Sequence, residues 1–259
     1  MPLRHLLRTR FALGDPPEAI PPIFRWQVLV MVLILPCYFL ASLTQLAQPF
    51  AVFTDAAPPI IRAASVMGTV LLTIGGVIAW ALVLARRAIG IGAMVAMMLY
   101  VGPMIAALLI ALVPIGSLTL LAGTTLVIAW SVRALFRVNA GVSAHTLEAL
   151  RAERLRVGAD GHPEFVLAAM VPGGGRIATA FDGLRSPFAT VLEFAGVALV
   201  AATGFALVPV AIATDFGQRG LIAPLLWGLL LAIMLGARGT VNQWLLLARV
   251  MAKGPILPE

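Results

Sequence analysis

Glu193 is the one carboxylate that falls inside a long apolar run of this 259-residue sequence. An unpaired charge in lipid is costly, so an intramembrane acid is kept where it pairs with a cation or handles ions and protons. Arg185 stands eight residues earlier, and Asp182 lies one helical turn before that. Glu193, Arg185 and Asp182 are therefore the candidate functional residues. Pairing of Glu193 with Arg185 or a neighbouring arginine is the plain expectation. The functional alternatives are proton or cation coupling at Glu193, or a polar cluster at the cytoplasmic face of a membrane enzyme acting on lipid. Asp215 and Arg219, four residues apart beyond the same run, read as an exposed pair.

The remaining chemistry-bearing residues point away from catalysis. His5, His145 and His162 all lie outside the apolar runs, which disfavours haem or chlorophyll held between spans and a Ser/His dyad at membrane depth. The sequence has no H-E-x-x-H, no G-x-S-x-G, no Cys/His set with zinc spacing and no Asp-rich repeat for a metal–diphosphate site. Gly173-Gly174-Gly175 is followed by Arg176 rather than by the Lys-Ser/Thr that ends a phosphate loop. No catalytic residue, cofactor or metal is expected, and an enzyme is the less favoured class.

Composition identifies the elements that must position these residues. Sixty-one per cent of the chain is apolar and 11 per cent is charged. A soluble domain carries about 45–50 per cent apolar and about 25 per cent charged residues, so this chain has too little polar surface for a water-soluble globule. Cys37 is the only cysteine, which excludes a disulfide scaffold. The net charge of +7 is spread between apolar runs, with no aromatic-interleaved basic groove, so no nucleic-acid partner is expected.

A helix needs about 20 apolar residues to cross a hydrocarbon core. Six runs qualify, at about 28–46, 63–85, 88–113, 118–135, 190–213 and 221–241. Pro114-Ile115-Gly116-Ser117 separates the third from the fourth and predicts a tight antiparallel hairpin. Past the sixth run, residues 240–253 either continue the helix or lie along the interface. Pro36, Pro103, Pro209 and Pro224 are the candidate kinks, with Gly102-Pro103 bending the third span. Small residues at i,i+4 mark packing faces at Gly75/Ala79, Gly92/Ala96 and Ala198/Ala202/Ala206.

Orientation follows from the bases. With the N-terminus in the cytoplasm, only Arg62 and Arg219 fall outside, and the other 16 of 18 Arg and Lys residues fall inside. Both termini are then cytoplasmic. Seventeen of the 18 bases are Arg, a usage that resembles GC-rich bacterial coding, and the bacterial inner membrane is the expected location.

Two polar segments flank the bundle. In residues 1–25, Leu3, Leu6, Leu7 and Phe11 share helical spacing with Arg4 and Arg8 on another side, which predicts a basic helix on the anionic leaflet. Residues 26–259 form the membrane domain. Its cytoplasmic loop, about 136–187, predicts a helix from Ser143, as N-cap, to about Arg156, then a short apolar piece over Phe165–Val171. That loop reads as a helical lid, with residues 143–185 as a docking site for a cytoplasmic partner as the alternative. Val77-Ile78-Ala79-Trp80 recurs as Val127-Ile128-Ala129-Trp130, a faint repeat that an aromatic interface belt also explains.

The expected fold is an all-α polytopic bundle of six spans with a short cytoplasmic helical insert between the fourth and fifth. The expected function is that of a transporter or permease component for an apolar or amphipathic solute. A non-catalytic subunit of a larger membrane complex is the alternative, and a lipid-modifying enzyme the third. Membrane lipids, and other membrane subunits, are the expected partners.

Overall fold

The computed structural model describes residues 2–12, 59–112, 118–158, 161–166, 180–181, 183–198 and 219–254. The described residues are mostly helical, and among them four helices are long and apolar enough to cross a membrane. The helices are α1 (Pro2–Arg8), α2 (Pro59–Leu84), α3 (Ala88–Leu112), α4 (Leu118–Gly141), α5 (Ala144–Arg154), α6 (Pro187–Ala198) and α7 (Arg219–Lys253). Those long enough to cross are in α2, α3, α4 and α7, and α6 is a shorter apolar helix. The predicted first span, the hairpin turn at 114–117 and the end of the predicted fifth span lie outside the described residues.

Helices α2 and α3 form an antiparallel hairpin. Leu72, Gly76, Ala79 and Val83 line the buried stripe of α2, while Val66, Met67, Val70, Leu71, Ile74, Val77 and Ile78 are exposed on its other side. In water such a face would be a liability, but against acyl chains it is what a spanning helix presents. A Cβ on Gly90 would come within 2.7 Å of the Val83 backbone nitrogen, so the absence of a side chain sets how closely the two helices cross. The turn between them puts Arg86 in the left-handed region at φ 55°, a conformation costing a non-glycine residue roughly 1–2 kcal/mol. Backbone bonds from Phe11 N–H to Arg86 O and from Ala88 N–H to Thr9 O hold it there.

Within α3, Met97–Val101 forms a π-helical turn directly before Gly102 and Pro103. Pro103 offers no N–H to the carbonyl four residues back, and its ring crowds that carbonyl. A wider turn just ahead of the proline accommodates both problems. Helix α7 passes through Pro224 and continues unbroken to Lys253, so residues 240–253 extend the sixth helix. At 1.5 Å per residue its 35 residues reach about 52 Å, well beyond the roughly 30 Å of a hydrocarbon core. The surplus carries Trp244, Leu247, Val250 and Met251 into a polar cap, where they join Val138 and Val142 of α4 and Leu147 and Leu150 of α5 in one core.

The cap contains a three-stranded sheet that corrects the all-α expectation. Strands β1 (Arg10–Ala12), β2 (Leu155–Val157) and β3 (Pro163–Val166) pair in the order β1-β3-β2. The β1–β3 pairing is parallel, with Phe11 opposite Phe165, and β2–β3 is antiparallel, with Arg156 opposite Glu164. Phe11 is therefore a strand residue and not part of the N-terminal helix, which ends at Arg8. The piece expected to start at Phe165 is likewise strand where it is described. Fully buried Phe165 gives the sheet its inner face. Helix α5 begins where expected: Ser143 Oγ accepts the Thr146 N–H at 3.1 Å as N-cap.

Ion pairs then fasten the cap. Lys253 Nζ lies 2.6 Å from Glu148 Oε1, Arg151 donates to Glu148 at 3.1 Å, and Arg151 Nε also donates to the Gly254 carbonyl. The Lys253 ammonium, and after it the Arg151 guanidinium, hold the Glu148 carboxyl below the usual carboxylate range. Arg154 is almost wholly buried, and burial lowers its pKa against the opposing pull of Glu153.

Candidate functional site

Helix α6 opens with Pro187 behind Ser186, whose Oγ accepts the Ala189 N–H at 3.2 Å. This pairing of a hydroxyl cap with proline in the first turn is a strong helix start. It leaves Arg185 just outside the helix, where it folds forward along it, while Ala189, Glu193 and Gly196 share the face buried against the bundle. Arg185 Nη1 reaches Glu193 Oε2 at 3.3 Å. The Arg185 guanidinium also stacks over Phe181, 5.2 Å from the ring centre.

A second arginine completes the cluster. Arg238 of α7 places Nε 3.7 Å from Glu193 Oε1, and its guanidinium lies 4.9 Å over the ring of Trp130 on α4. Its side chain is 2 per cent exposed, against 25 per cent for Arg185 and 11 per cent for Glu193. Arg238 Nε and Nη1, Arg185 Nε and Glu193 Oε1 make no hydrogen bond among the described residues. Two guanidiniums thus face one carboxylate in a largely dry setting, with donors to spare.

Glycines make this approach possible. A Cβ on Gly196 would meet the Ala232 carbonyl oxygen at 2.6 Å and the Gly236 nitrogen at 2.8 Å, so α6 and α7 cross backbone to backbone. One turn along, a Cβ on Gly239 would sit 3.3 Å from Glu193 Oε2. Gly236 and Gly239, within α7, open room for the Glu193 carboxylate beside it.

Polar groups continue from the cluster along the helix contacts. Trp130 meets Phe188 edge to face at 6.0 Å, and both rings are partly exposed at the bundle's edge. The next residue of α4, Ser131, shares a buried 2.7 Å hydrogen bond with Tyr100 in the π-turn of α3. One face further, Asn139 of α4 donates to Asn242 of α7 at 2.6 Å, and Arg249 donates to the Asn139 carbonyl. π-turns occur frequently at functional sites, and here one borders the helix that carries Trp130.

Of the residues singled out in the sequence, Glu193 and Arg185 are brought together, and Asp182 lies outside the described residues. Pro103 is buried in α3, Pro224 is carried within α7, and Pro36 and Pro209 lie outside the described residues. Sequence reasoning missed Arg238, Trp130, Tyr100 and Ser131 as members of the site. The readable signal was Arg238 itself, an arginine set between Gly236 and Gly239 at the end of an apolar run.

Chemically, the cluster sets two guanidinium groups against one carboxylate. Arg185 and Arg238 are hydrogen-bond donors of fixed positive charge, and Glu193 competes for both. No family model, curated protein or solved structure matches this chain.

Proposed function

We propose that this chain is an integral membrane protein that serves as a transporter or permease-like component for an amphipathic solute. The observation that carries this reading is the Glu193–Arg185–Arg238 cluster, buried between apolar helices. Charges buried among apolar helices are expensive and mark solute or ion pathways when they are kept. The side-chain-free crossing at Gly196 and Gly236 supports it, because two smooth backbones can slide where interlocked side chains cannot. The π-turn beside Tyr100 supports it as well.

In this reading the polar cap and both termini face the cytoplasm of a bacterial cell. Arg8, Arg10, Arg86, Arg87, Arg151, Arg156 and Lys253 gather in or beside the cap, as the positive-inside rule requires. The test is flux of a fluorescent amphipathic anion across proteoliposomes. The wild-type chain accelerates it over protein-free vesicles, and Glu193→Gln abolishes its pH dependence at equal reconstitution. Wild-type flux at the protein-free rate defeats the proposal.

One observation favours the alternative of a non-catalytic subunit in a larger membrane complex. The outer face of α6 carries an open apolar groove lined by Pro187, Thr190, Val191, Phe194, Ala195 and Ala198, a surface of the kind against which a neighbouring helix packs. Purification in mild detergent separates the two readings: partners in fixed ratio favour the subunit, and a single species favours the permease.

A further inference from the structure

Among the described residues the cluster's charges do not balance. Glu193 carries one negative charge, and Arg185 and Arg238 carry two positive ones that persist at any pH a folded protein survives. Arg238 is the decisive member: its side chain is 2 per cent exposed, and its Nη1 and Nε lack hydrogen-bond partners among the described residues. An ionised group in a low-dielectric site needs both a counter-charge and acceptors for its N–H groups. Glu193 supplies one carboxylate for two guanidiniums, and its contact with Arg238 is an ion pair at 3.7 Å rather than a hydrogen bond. Among the described residues, what the cluster lacks is one further negative charge that brings oxygen acceptors.

The surroundings define the rest of the ligand. Trp130 closes one face of the Arg238 guanidinium, and Phe188 stands against Trp130 at 6.0 Å. Both rings remain open at the bundle's edge, Trp130 at 37 per cent and Phe188 at 65 per cent exposure, on the apolar outer surface. Arg185, the other cation of the cluster, is a quarter exposed. A bare anion would find no use for that aromatic wall. A molecule with an oxyanion at one end and a hydrocarbon chain at the other would fill both parts.

We infer that the Arg185–Glu193–Arg238 cluster binds the singly charged oxyanion headgroup of an amphiphile, a carboxylate or phosphodiester, with its chain lying over Trp130 and Phe188. The inference deepens the permease reading of this site and rests on that reading's choice of site, but binding can be measured without any flux. In the bound state the headgroup oxygens accept from Arg238 and Arg185, and Glu193 holds the two guanidiniums apart. Glu193 is then a positioning residue that also competes with the ligand, which gives its removal the opposite sign from removal of an arginine.

The test is equilibrium binding to the full chain in detergent, read by native mass spectrometry with four probes: oleate, phosphatidylglycerol, phosphatidylcholine and inorganic phosphate. Oleate or phosphatidylglycerol, or both, should bind one per chain, and phosphatidylcholine and inorganic phosphate should bind at least tenfold more weakly. Which of the two anionic probes binds distinguishes a carboxylate from a phosphodiester ligand. Arg238→Gln weakens binding about tenfold or more, in line with loss of a charged hydrogen bond. Arg185→Gln, at a quarter-exposed position that tolerates change, weakens it several-fold and decides the matter should Arg238→Gln fail to fold. Glu193→Gln tightens it several-fold, and Arg137→Gln on the exposed side of α4 leaves it unchanged. Equal binding of zwitterionic and anionic lipid overturns the inference, as does binding of phosphate alone with the affinity of an amphiphile. Weakening in Glu193→Gln to match Arg238→Gln overturns it too, since that pattern belongs to a purely structural network. Binding without flux defeats the permease reading and leaves this one standing, whereas flux that needs Arg238 without selective binding does the reverse.

Discussion

Gly196→Ala is the sharpest probe of how α6 is seated. The new Cβ would lie 2.6 Å from the Ala232 carbonyl oxygen and 2.8 Å from the Gly236 nitrogen. Both are backbone atoms, so neither can rotate away. Ordinary contact begins at 3.4 Å, and the two helix axes must therefore part by about 0.8 Å at the crossing. Overpacking of this kind costs roughly 1–3 kcal/mol. Alanine also returns about 1 kcal/mol of helix propensity relative to glycine, so the measurement needs a reference that shares this gain. Gly123 on α4 provides it, because nothing lies within 4 Å of its would-be Cβ. Unfolding in mixed micelles should place Gly196→Ala about 1–3 kcal/mol below Gly123→Ala. Gly236→Ala should fall between them, since its Cβ would meet Val197 N at a milder 3.1 Å. Equal stability of Gly196→Ala and Gly123→Ala would refute the close crossing and the site built upon it.

Two further predictions concern the polar cap. Ser143→Ala removes the acceptor for the Thr146 N–H and should cost about 1 kcal/mol, seen as faster hydrogen exchange confined to the first turn of α5. Glu148 should titrate below its ordinary value of 4.5, because Lys253 first and Arg151 second favour its charged form. A depressed folded-state pKa stabilises the fold fully above the ordinary value, and that contribution fades as pH falls through the lower one. The Glu148 carboxyl carbon shift should therefore show its midpoint below 4.5. Lys253→Ala should move that midpoint upward, and an unmoved midpoint would show that the Lys253 contact does not form.

The long helices were legible because a bilayer imposes one simple requirement, and the sequence meets it with uninterrupted apolar runs. The start of α3 after Arg86-Arg87 and its end before Pro114 could be read almost to the residue. Ser143 announced α5 because an N-cap acts within its own first turn. The sheet was illegible for the opposite reason. Its strands are three or four residues long, too short to show alternation, and β1 pairs with β3 across about 150 residues of chain. Phe11 also continued the spacing of Leu3, Leu6 and Leu7, so a helical reading extended over a strand.

Half of the site was visible and half was hidden by the same rule that found the spans. Glu193 stood out as an acid in an apolar run, and Arg185 lay eight residues before it. Arg238 was counted among the arginines of the cytoplasmic edge, which is where a positive-inside tally puts an arginine near a span end. Its flanking glycines, Gly236 and Gly239, carry no local sign of a site. Only the crossing of α6 on α7 turns them into room for a carboxylate. Tyr100 and Ser131 lie in separate spans, and nothing local in either run says that the two hydroxyls meet.

Whether Glu193 and Arg238 depend on each other across the α6–α7 crossing can be read from a double-mutant cycle on Glu193→Gln and Arg238→Gln, measured by unfolding in bilayer nanodiscs. Removing one member of a buried ion pair strands the other, and removing both strands neither. The double variant should be more stable than the sum of the single losses implies, by about 1 kcal/mol or more. Losses that add to within roughly 0.5 kcal/mol, as they do for distant sites, would mean that the two charges do not face each other, and the anion site between them would fall with the pair.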